Sequence, residues 1–479
     1  MLESKTEFSK DFYKNKQRID ELFHIDKSFD LMYRVVTIGG KMACFYIIDG
    51  FCKDEVMEKI LEFLYQIPAV EMPDTAHDFM KKKLPYGEID LISTENDLVQ
   101  RVLSGVPVLM VDGYDEIMAM DFRSYPARSV DEPVKDKVMK GSRDGFVETV
   151  VYNTALIRRR IRSTELVMEM HTVGKNSRTD VVIAYMNNRV EKEMLQEIQE
   201  RVDKIQVDAL TMNHQSLAES LFQHKWYNPF PKFKITERPD TTAASILEGS
   251  IAILVDNSPA AMILPTSVFD IVEDADDYYF PPITGTYLRI SRMIINFLAV
   301  VLTPLFLLLL KNPGWIPPSL EFIQLSEPAH VPVFLQMLIL EFAIDGLKLA
   351  SLNTPNMLSV PLSVVAGIVF GDYTVTSGWF NAEIMLYMAF VAVANYSQVS
   401  MELGYALKFM RLITICLTAA FNLWGFIGGL AFTVFCIVAN RSIGGKSYIY
   451  PVIPFNPRQF LQRFCRVSLP NAEKIRKNS

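Results

Sequence analysis

The pattern of hydrophobic and polar positions divides the chain near residue 292. Residues 1–292 carry charged side chains throughout, whereas residues 293–440 are mainly Leu, Ile, Val, Phe, Ala and Gly. The charged residues of this second stretch are Lys311, Glu321, Glu327, Glu341, Asp345, Lys348, Asp372, Glu383, Glu402, Lys408 and Arg411. The division predicts a water-soluble α/β part followed by an α-helical polytopic membrane domain at residues 276–440.

The N-terminal part contains two passages with the same pattern. ACFYIIDGFCKDEVMEKILEFL from Ala43 and DVVIAYMNNRVEKEMLQEIQERV from Asp180 each combine a β-branched and aromatic run, a turn and an amphipathic helix. Each is followed by a Gly, an apolar strand and a hairpin turn that begins at Asp112 or Asp256. We infer an internal duplication that gives two small cytoplasmic α/β domains. The predicted bounds are 1–30 for a charged N-terminal tail, 31–128 for the first domain, 129–178 for a helical linker and 179–275 for the second domain.

Four apolar stretches of the second half are predicted to cross a membrane, at residues 293–310, 331–352, 382–396 and 412–438. Asn422, Gly425, Gly428 and Gly429 interrupt the last stretch, which is therefore expected to bend or to let a neighbouring helix approach closely. The shorter, glycine-interrupted stretch from Ser359 to Asp372 is predicted to be re-entrant or broken, and six crossings result if the helices are broken. Arg289 and Arg292 precede the first stretch, and the tail at 441–479 holds eight Lys or Arg against one acid. Both termini are therefore predicted to be cytoplasmic.

Glu341, Asp345 and Lys348 lie on one stripe of the second predicted helix, because they are spaced by four and three. A charge at the bilayer centre costs about 2.5–3.5 kcal/mol, so these side chains should face protein or water. Asp345 and Lys348 are expected to pair locally, which leaves Glu341. Two interpretations have equal weight: the stripe holds the helices together, or it lines a cation path. The broken element favours the path, and the predicted pore-lining residues are Glu341, Asp345, Lys348, Gly367, Gly371 and Asp372.

The sequence predicts no enzyme, catalytic residue, cofactor or metal site. The histidines form no H-x-x-x-H pair, the five cysteines form no C-x-x-C pair, and no P-loop or G-x-S-x-G motif is present. Asp112 and Asp256 are interpreted as turn residues. The arginines of LIRRRIR, from Leu156, have no interleaved aromatic residues, and the net charge is −7, so nucleic acid is not predicted as a partner. Acids such as Glu148 and Glu165 are their expected partners.

Several short motifs occur together over residues 28–466. They are GSRDGFVE from Gly141, Asn153, LIRRRIR from Leu156, TERPD from Thr236, LEGSIAILVDNSPAAMILPTSVF from Leu247, DDYY from Asp276 and the pair Arg289 and Arg292. With these motifs the chain resembles the A-subunit family of bacterial spore germination receptors. The ACFYIIDGF run, together with YSQVSMELGYALKFMRL from Tyr396, resembles the stage V sporulation protein AF branch of that family more than the nutrient-receptor A subunits.

The resemblance implies a multi-pass protein of the spore inner membrane with a two-part cytoplasmic N-terminal domain. It also implies a homo-oligomer that assembles with other germination proteins and conducts ions as germination begins. The AF branch implies an amplifier of germination that pairs with a small membrane partner protein. The expected function is a subunit of an ion channel that promotes cation release, with membrane lipids around it. The alternatives are a non-conducting scaffold of receptor clusters and, less favoured for want of a repeat in the membrane half, a secondary transporter.

Overall fold

The computed structural model describes residues 7–124, 138–222, 226–328, 330–353, 367, 374–440, 442–445 and 447–466. The chain forms two compact units. The first consists of Met1–Gln223 with Phe233–Pro265, and the second consists of His224–Lys232 with Thr266–Ser479. The chain therefore leaves the first unit briefly at residue 224, returns to it at Phe233, and enters the second unit for good at Thr266.

The first unit opens with helix α1 and a five-stranded antiparallel sheet whose strand order is β1-β2-β4-β5-β3. Apolar side chains cover both faces of this sheet: α1 and α4 pack into one buried cluster, and α2 and α3 pack into the other. Burial on both faces accounts for the continuous apolar runs of β2 and β4. The elements are α1 (Phe12–Leu22), β1 (Leu31–Ile38), β2 (Lys41–Ile48), α2 (Asp54–Tyr65), a 3-10 turn (Ala69–Glu71), α3 (Ala76–Lys83), β3 (Ile89–Ile92), α4 (Glu95–Leu103), β4 (Val108–Val111) and β5 (Ile117–Met120).

A second sheet in the same unit repeats this arrangement, with strand order β6-β7-β9-β10-β8. Every strand and helix of the first sheet has a counterpart at the same place in the second, which confirms the predicted pair of α/β domains. The elements are α5 (Val150–Arg160), β6 (Leu166–Val173), β7 (Thr179–Met186), α6 (Lys192–Asp203), α7 (Asn213–Leu221), β8 (Lys234–Thr236), α8 (Pro239–Leu247), β9 (Ile251–Val255) and β10 (Ala261–Leu264).

The duplication extends to single hydrogen bonds. Asp112, in the turn after β4, accepts a hydrogen bond from the first N–H of α1 at 3.3 Å, and Asp256, after β9, accepts one from the first N–H of α5 at 3.0 Å. Asn15 and Asn153, at the same position of these helices, each exchange hydrogen bonds with the backbone of a residue six positions earlier. The two aspartates therefore satisfy helix N-termini that would otherwise lack acceptors, in addition to shaping the turns.

The element bounds differ from those predicted. The segment 1–30, predicted as a charged tail, contains α1, whose buried Phe12 and Ile19 belong to the core of the first sheet. The segment 129–178, predicted as a helical linker, contains both α5 and strand β6. The first difference arises because α1 has only a few apolar positions. The second arises because Glu169, His171 and Thr172 interrupt the apolar run of β6.

A fully buried arginine joins the two sheets of the first unit. Arg158 of α5 donates from Nε to Asp30 Oδ2 at 2.8 Å and from Nη2 to Asp30 Oδ1 at 3.0 Å, and both side chains are almost inaccessible to solvent. Asp30 directly precedes β1, so the pair links the second domain to the first. Arg160 pairs with Asp144 of the GSRDG motif, at a half-buried site. These arginines therefore contact Asp30 and Asp144, where the sequence suggested acids such as Glu148 and Glu165.

The second unit is helical. Among the described residues, α11 and α14 are long and apolar enough to cross a membrane, and α13 is a shorter apolar helix. The predicted re-entrant stretch from Ser359 to Asp372 lies outside the described residues, apart from Gly367. The elements are α9 (Val268–Val272), α10 (Asp276–Tyr279), α11 (Pro282–Lys311), 3-10 turns at Pro313–Trp315 and Pro318–Ile323, α12 (Val333–Asn353), a helical turn at Thr374–Thr376, α13 (Ala382–Tyr396), α14 (Met401–Ala439), a 3-10 turn at Ile443–Gly445 and α15 (Pro457–Phe464).

Helix α14 folds back on itself at Asn422, which has φ 51° and ψ −128°. Asparagine tolerates positive φ better than most residues, so it is suited to this turn. The arms before and after it, 401–421 and 423–439, then pack closely: a Cβ on Gly425 would lie 1.8 Å from Leu417 O, and one on Gly429 would lie 2.7 Å from Thr414 Oγ1. The stretch predicted as one bent span is therefore a hairpin of two antiparallel arms.

We expect Arg158→Met to lower the free energy of unfolding of the first unit by about 3–5 kcal/mol, because it leaves Asp30 buried without its partner. Arg160→Met is the matched control, and its half-buried pair with Asp144 should cost about 1 kcal/mol or less. Urea unfolding of a fragment that ends at Pro265 measures both values. Equal effects for the two variants would contradict the role assigned to Arg158.

Candidate functional site

The predicted charged stripe of α12 meets two basic residues of the first arm of α14. Glu341 and Asp345 lie one turn apart on α12, and Lys408 and Arg411 lie one turn apart on α14. The higher-numbered acid contacts the lower-numbered base, as expected for antiparallel helices. We call these four residues the charge network. Two carboxylates and two cations give it no net charge, which is the arrangement that makes burial of ionised groups tolerable.

Arg411 is the centre of the charge network and is completely inaccessible to solvent. Its Nε donates to Glu341 Oε1 at 2.8 Å, and its Nη2 lies 2.7 Å from the same oxygen. Its Nη1 donates to the backbone oxygen of Ala299 in α11 at 2.8 Å. One guanidinium therefore ties together α11, α12 and α14, which a lysine could not do because it lacks the planar fork of donors.

Lys408 connects both acids of α12. Its Nζ lies 3.3 Å from Glu341 Oε2, donates to the backbone oxygen of Glu341 at 3.3 Å, and forms an ion pair with Asp345. Glu341 is 2% exposed, whereas the side chain of Asp345 is 34% exposed. One end of the charge network, at Glu341 and Arg411, is therefore inaccessible to solvent, whereas the other end, at Asp345, is partly exposed.

The remaining predicted site residues lie elsewhere or outside the described residues. Lys348 does not pair with Asp345 as expected; its Nζ stands 4.4 Å from the ring centre of Tyr405, a cation–π contact. Gly367 is exposed, and a Cβ placed on it would meet no described neighbour within 4 Å. Gly371 and Asp372 lie outside the described residues.

Sequence reasoning missed Lys408 and Arg411 as partners of the stripe. They are separated from Glu341 by about seventy positions, so no local spacing rule connects them. A signal was nevertheless present: they are the only basic residues between Lys348 and Arg441, and they stand three positions apart on an apolar helix. Two acids and two bases in apolar helices of one chain indicate mutual pairing.

Polar side chains also form hydrogen bonds between helix ends, at the end of the helical unit where α11 terminates. Gln336 of α12 and Asn381, just before α13, exchange hydrogen bonds of 2.9 Å, so these two helices begin at the same level. Asn312, after α11, and Asn422, at the turn of α14, hydrogen-bond to each other at 2.7 and 3.0 Å. Lys311 donates to the last carbonyls of the first α14 arm, a favourable place for a cation.

No cluster of metal-binding character accompanies this network. Within the described part of the chain, no group of three or more His, Cys, Asp and Glu side chains could hold a metal ion. The chemistry available at the network is therefore that of fixed charges and hydrogen bonds, which suits holding helices together and attracting ions.

The chain thus combines a duplicated α/β part with a helical unit that contains a buried, charge-balanced network and two helices long and apolar enough to cross a membrane. The family of the Bacillus/Clostridium GerA spore germination protein matches residues 17–478. The chain belongs to this family, as the motifs predicted.

Two individual relatives, a stage V sporulation protein and a spore germination protein, agree with this assignment. The chain is 32% identical to "Stage V sporulation protein AF" of Bacillus subtilis (strain 168) over 466 residues, which are 96% of this chain and 94% of the relative. It is 26% identical to "Spore germination protein GerLA" of Bacillus cereus, over 91% of this chain and 90% of that protein. The crystal structure of the N-terminal domain of the A subunit of the Bacillus megaterium spore germinant receptor GerK3 is 23% identical, with a TM-score of 0.41, and covers 54% of this chain and 96% of that domain.

We expect Arg411→Met to destabilise the second unit strongly, by about 3–5 kcal/mol, because Glu341 then keeps only Lys408 as a counter-charge. Lys348→Met removes a cation of the same α12 stripe whose side-chain contact, within the described residues, is with the ring of Tyr405. This change should lower the free energy of unfolding by about 1 kcal/mol or less. Thermal unfolding of the purified full chain in detergent compares the two. A melting temperature of Arg411→Met as high as that of Lys348→Met would show that Arg411 does not hold the helices together.

Proposed function

We propose that this chain is a multi-pass subunit of a spore inner-membrane complex that releases cations during germination. Its family membership supports a role in germination. The observation that carries the conduction part is the charge network, which places a partly exposed acid, Asp345, on the mainly apolar helix α12. An acid in this position attracts cations where water or a neighbouring subunit shields it from lipid.

The lengths of the helices support a bundle that crosses a membrane. Helix α11 has 30 residues and α12 has 21, which correspond to about 45 and 32 Å at 1.5 Å per residue. The hydrocarbon core of a bilayer is about 30 Å thick. Arg289 and Arg292 precede the apolar part of α11, and the chain beyond residue 440 is basic. We therefore propose that both termini are cytoplasmic.

Because Glu341 and Arg411 are inaccessible to solvent, a path for ions through the interior of one subunit is unfavourable. Glu341 and Arg411 fill that interior and neutralise each other, so an ion passing there would have to break their pairing. We propose that ions pass between copies of the chain, along the face of α12 that bears Asp345 and Lys348. Gly367, Gly371 and Asp372 stay predicted members of the same path. On this proposal Glu341 supports the path without lining it.

The same interpretation predicts which partners this chain assembles with. A path between copies requires a homo-oligomer, and family membership supports assembly with other germination proteins. The similarity to a stage V sporulation protein favours a role as an amplifier of germination alongside a small membrane partner protein. We expect no nucleic acid, because the basic residues of α5 are occupied by structural contacts such as those of Arg158 and Arg160.

A non-conducting scaffold is the second candidate, and the neutral network favours it. Four charges that satisfy each other hold α11, α12 and α14 together whether or not ions pass. Purified protein in liposomes separates the candidates. Potassium flux that depends on the chain, alone or with its partner, supports conduction, and absence of flux in both cases supports the scaffold.

We expect Asp345→Asn to slow potassium release from germinating spores severalfold, because it removes the exposed acid and keeps the shape of the side chain. Glu321→Gln, which changes an exposed acid in the loop after α11, should leave release unchanged. Release is measured with a potassium electrode, and protein levels by immunoblot. Normal release from Asp345→Asn spores with normal protein levels would exclude this residue from the path.

A further inference from the structure

A loop from the α/β part is built into the helical unit. Residues 226–232 lie between α7 and β8 in sequence, yet they belong to the second unit. Asn228 donates from Nδ2 to Cys436 O at 2.9 Å, and Asn440 donates from Nδ2 to Phe230 O at 3.3 Å. Phe230 is 1% exposed and packs in an apolar cluster with residues of α11 and α14. The loop is therefore held at the end of the second α14 arm, at the level of residues 436–440.

Trp226 stands out from this anchored loop. It is 96% exposed, beside Tyr227, while the loop beneath it is fixed by Phe230 and Asn228. Near the end of the second α14 arm, the apolar side chains of Phe435 and Val438 are also exposed. An almost fully exposed tryptophan on a fixed loop is costly in water, so a less polar environment is expected around it.

The other three tryptophans of the chain mark the opposite end of the unit. Trp315 follows α11, Trp379 precedes α13, and Trp424 follows the turn of α14 at Asn422; they are 52%, 60% and 78% exposed. Side chains at the end of α11, at Phe380 and at the start of α13 share one buried cluster, so these helix ends lie together. All four tryptophans are thus exposed, and Trp315, Trp379 and Trp424 lie at or next to helix ends.

The separation of the two ends matches a bilayer. The second α14 arm runs from residue 423 to 439, about 25 Å at 1.5 Å per residue. The arm begins beside Trp424 and ends where the loop of Trp226 is attached. A hydrocarbon core of about 30 Å would place both indoles close to its boundaries with the headgroup layers, where tryptophan is enriched because its ring is apolar and its N–H is polar.

We propose that residues 226–232 form a membrane-interface anchor, with Trp226 inserted among the lipid headgroups on the cytoplasmic side. The inference rests on the proposed crossing of the membrane by α11 and α14. It adds a contact with lipid made by a segment of the α/β part of the sequence.

The test uses the fluorescence of single tryptophans in vesicles. A variant with Trp315→Phe, Trp379→Phe and Trp424→Phe keeps only Trp226, and a matched variant with Trp226→Phe, Trp315→Phe and Trp379→Phe keeps only Trp424. The full chains are reconstituted in phosphatidylcholine and phosphatidylglycerol vesicles that contain lipids brominated near the headgroup or deep in the acyl chain. We expect quenching of Trp226 to be about twofold stronger with the shallow bromine than with the deep one.

Each outcome decides the matter. Quenching of Trp226 by aqueous iodide but by neither brominated lipid, with Trp424 quenched by lipid, overturns the anchor and leaves the membrane crossing intact. Failure of both tryptophans to respond to brominated lipid overturns the crossing as well. Protection of Trp226 from iodide and from lipid means that protein covers it, which also overturns the anchor. In the otherwise native chain, Trp226→Phe should remove a component of the emission that the shallow bromine quenches. An unchanged quenching profile in this variant would also contradict the anchor.

Discussion

The second unit depends on the contact between Arg411 and Glu341. Both groups are inaccessible to solvent, and each would be intolerable in an apolar bundle without the other. Because Arg411 also donates to Ala299 O, its position fixes α14 against α11 and α12 together. Lys408 extends the same arrangement to Asp345, where solvent begins. Both cations lie on the first arm of the α14 hairpin, and the second arm packs against that arm through Gly425 and Gly429.

The first unit contains a comparable buried ion pair. There too a buried arginine, Arg158, joins elements that are distant in sequence, through a bidentate contact with Asp30. The two units thus contain the same arrangement. In each, a buried arginine contacts elements that are distant in sequence, and an acid from another element balances its charge. In both places the arginine also donates to backbone oxygen: Arg158 donates to Ser163 O and Leu166 O, and Arg411 donates to Ala299 O.

Local signals predicted much of the fold, and contacts between distant residues explain the rest. The two α/β repeats followed from strand, turn and helix patterns around Asp112 and Asp256, but their capping of α1 and α5 could not be predicted, because those helices lie about a hundred positions earlier. Glu341 was found from its charge within an apolar helix. Its partner Arg411 was not, because helix periodicity says nothing about which helices meet. The reversal of α14 was not predicted, because Asn422 and the glycines after it indicated a bend in one span and not two antiparallel arms.

Glu341 and Arg411 stabilise the helices as a pair, and a double-mutant cycle tests this coupling most directly. The variants are Glu341→Gln, Arg411→Met and the double variant, each measured as the free energy of unfolding of the full chain in mixed micelles. We predict that the double variant loses less than the two single losses added together, by about 2 kcal/mol. Losses that simply add would contradict the pairing.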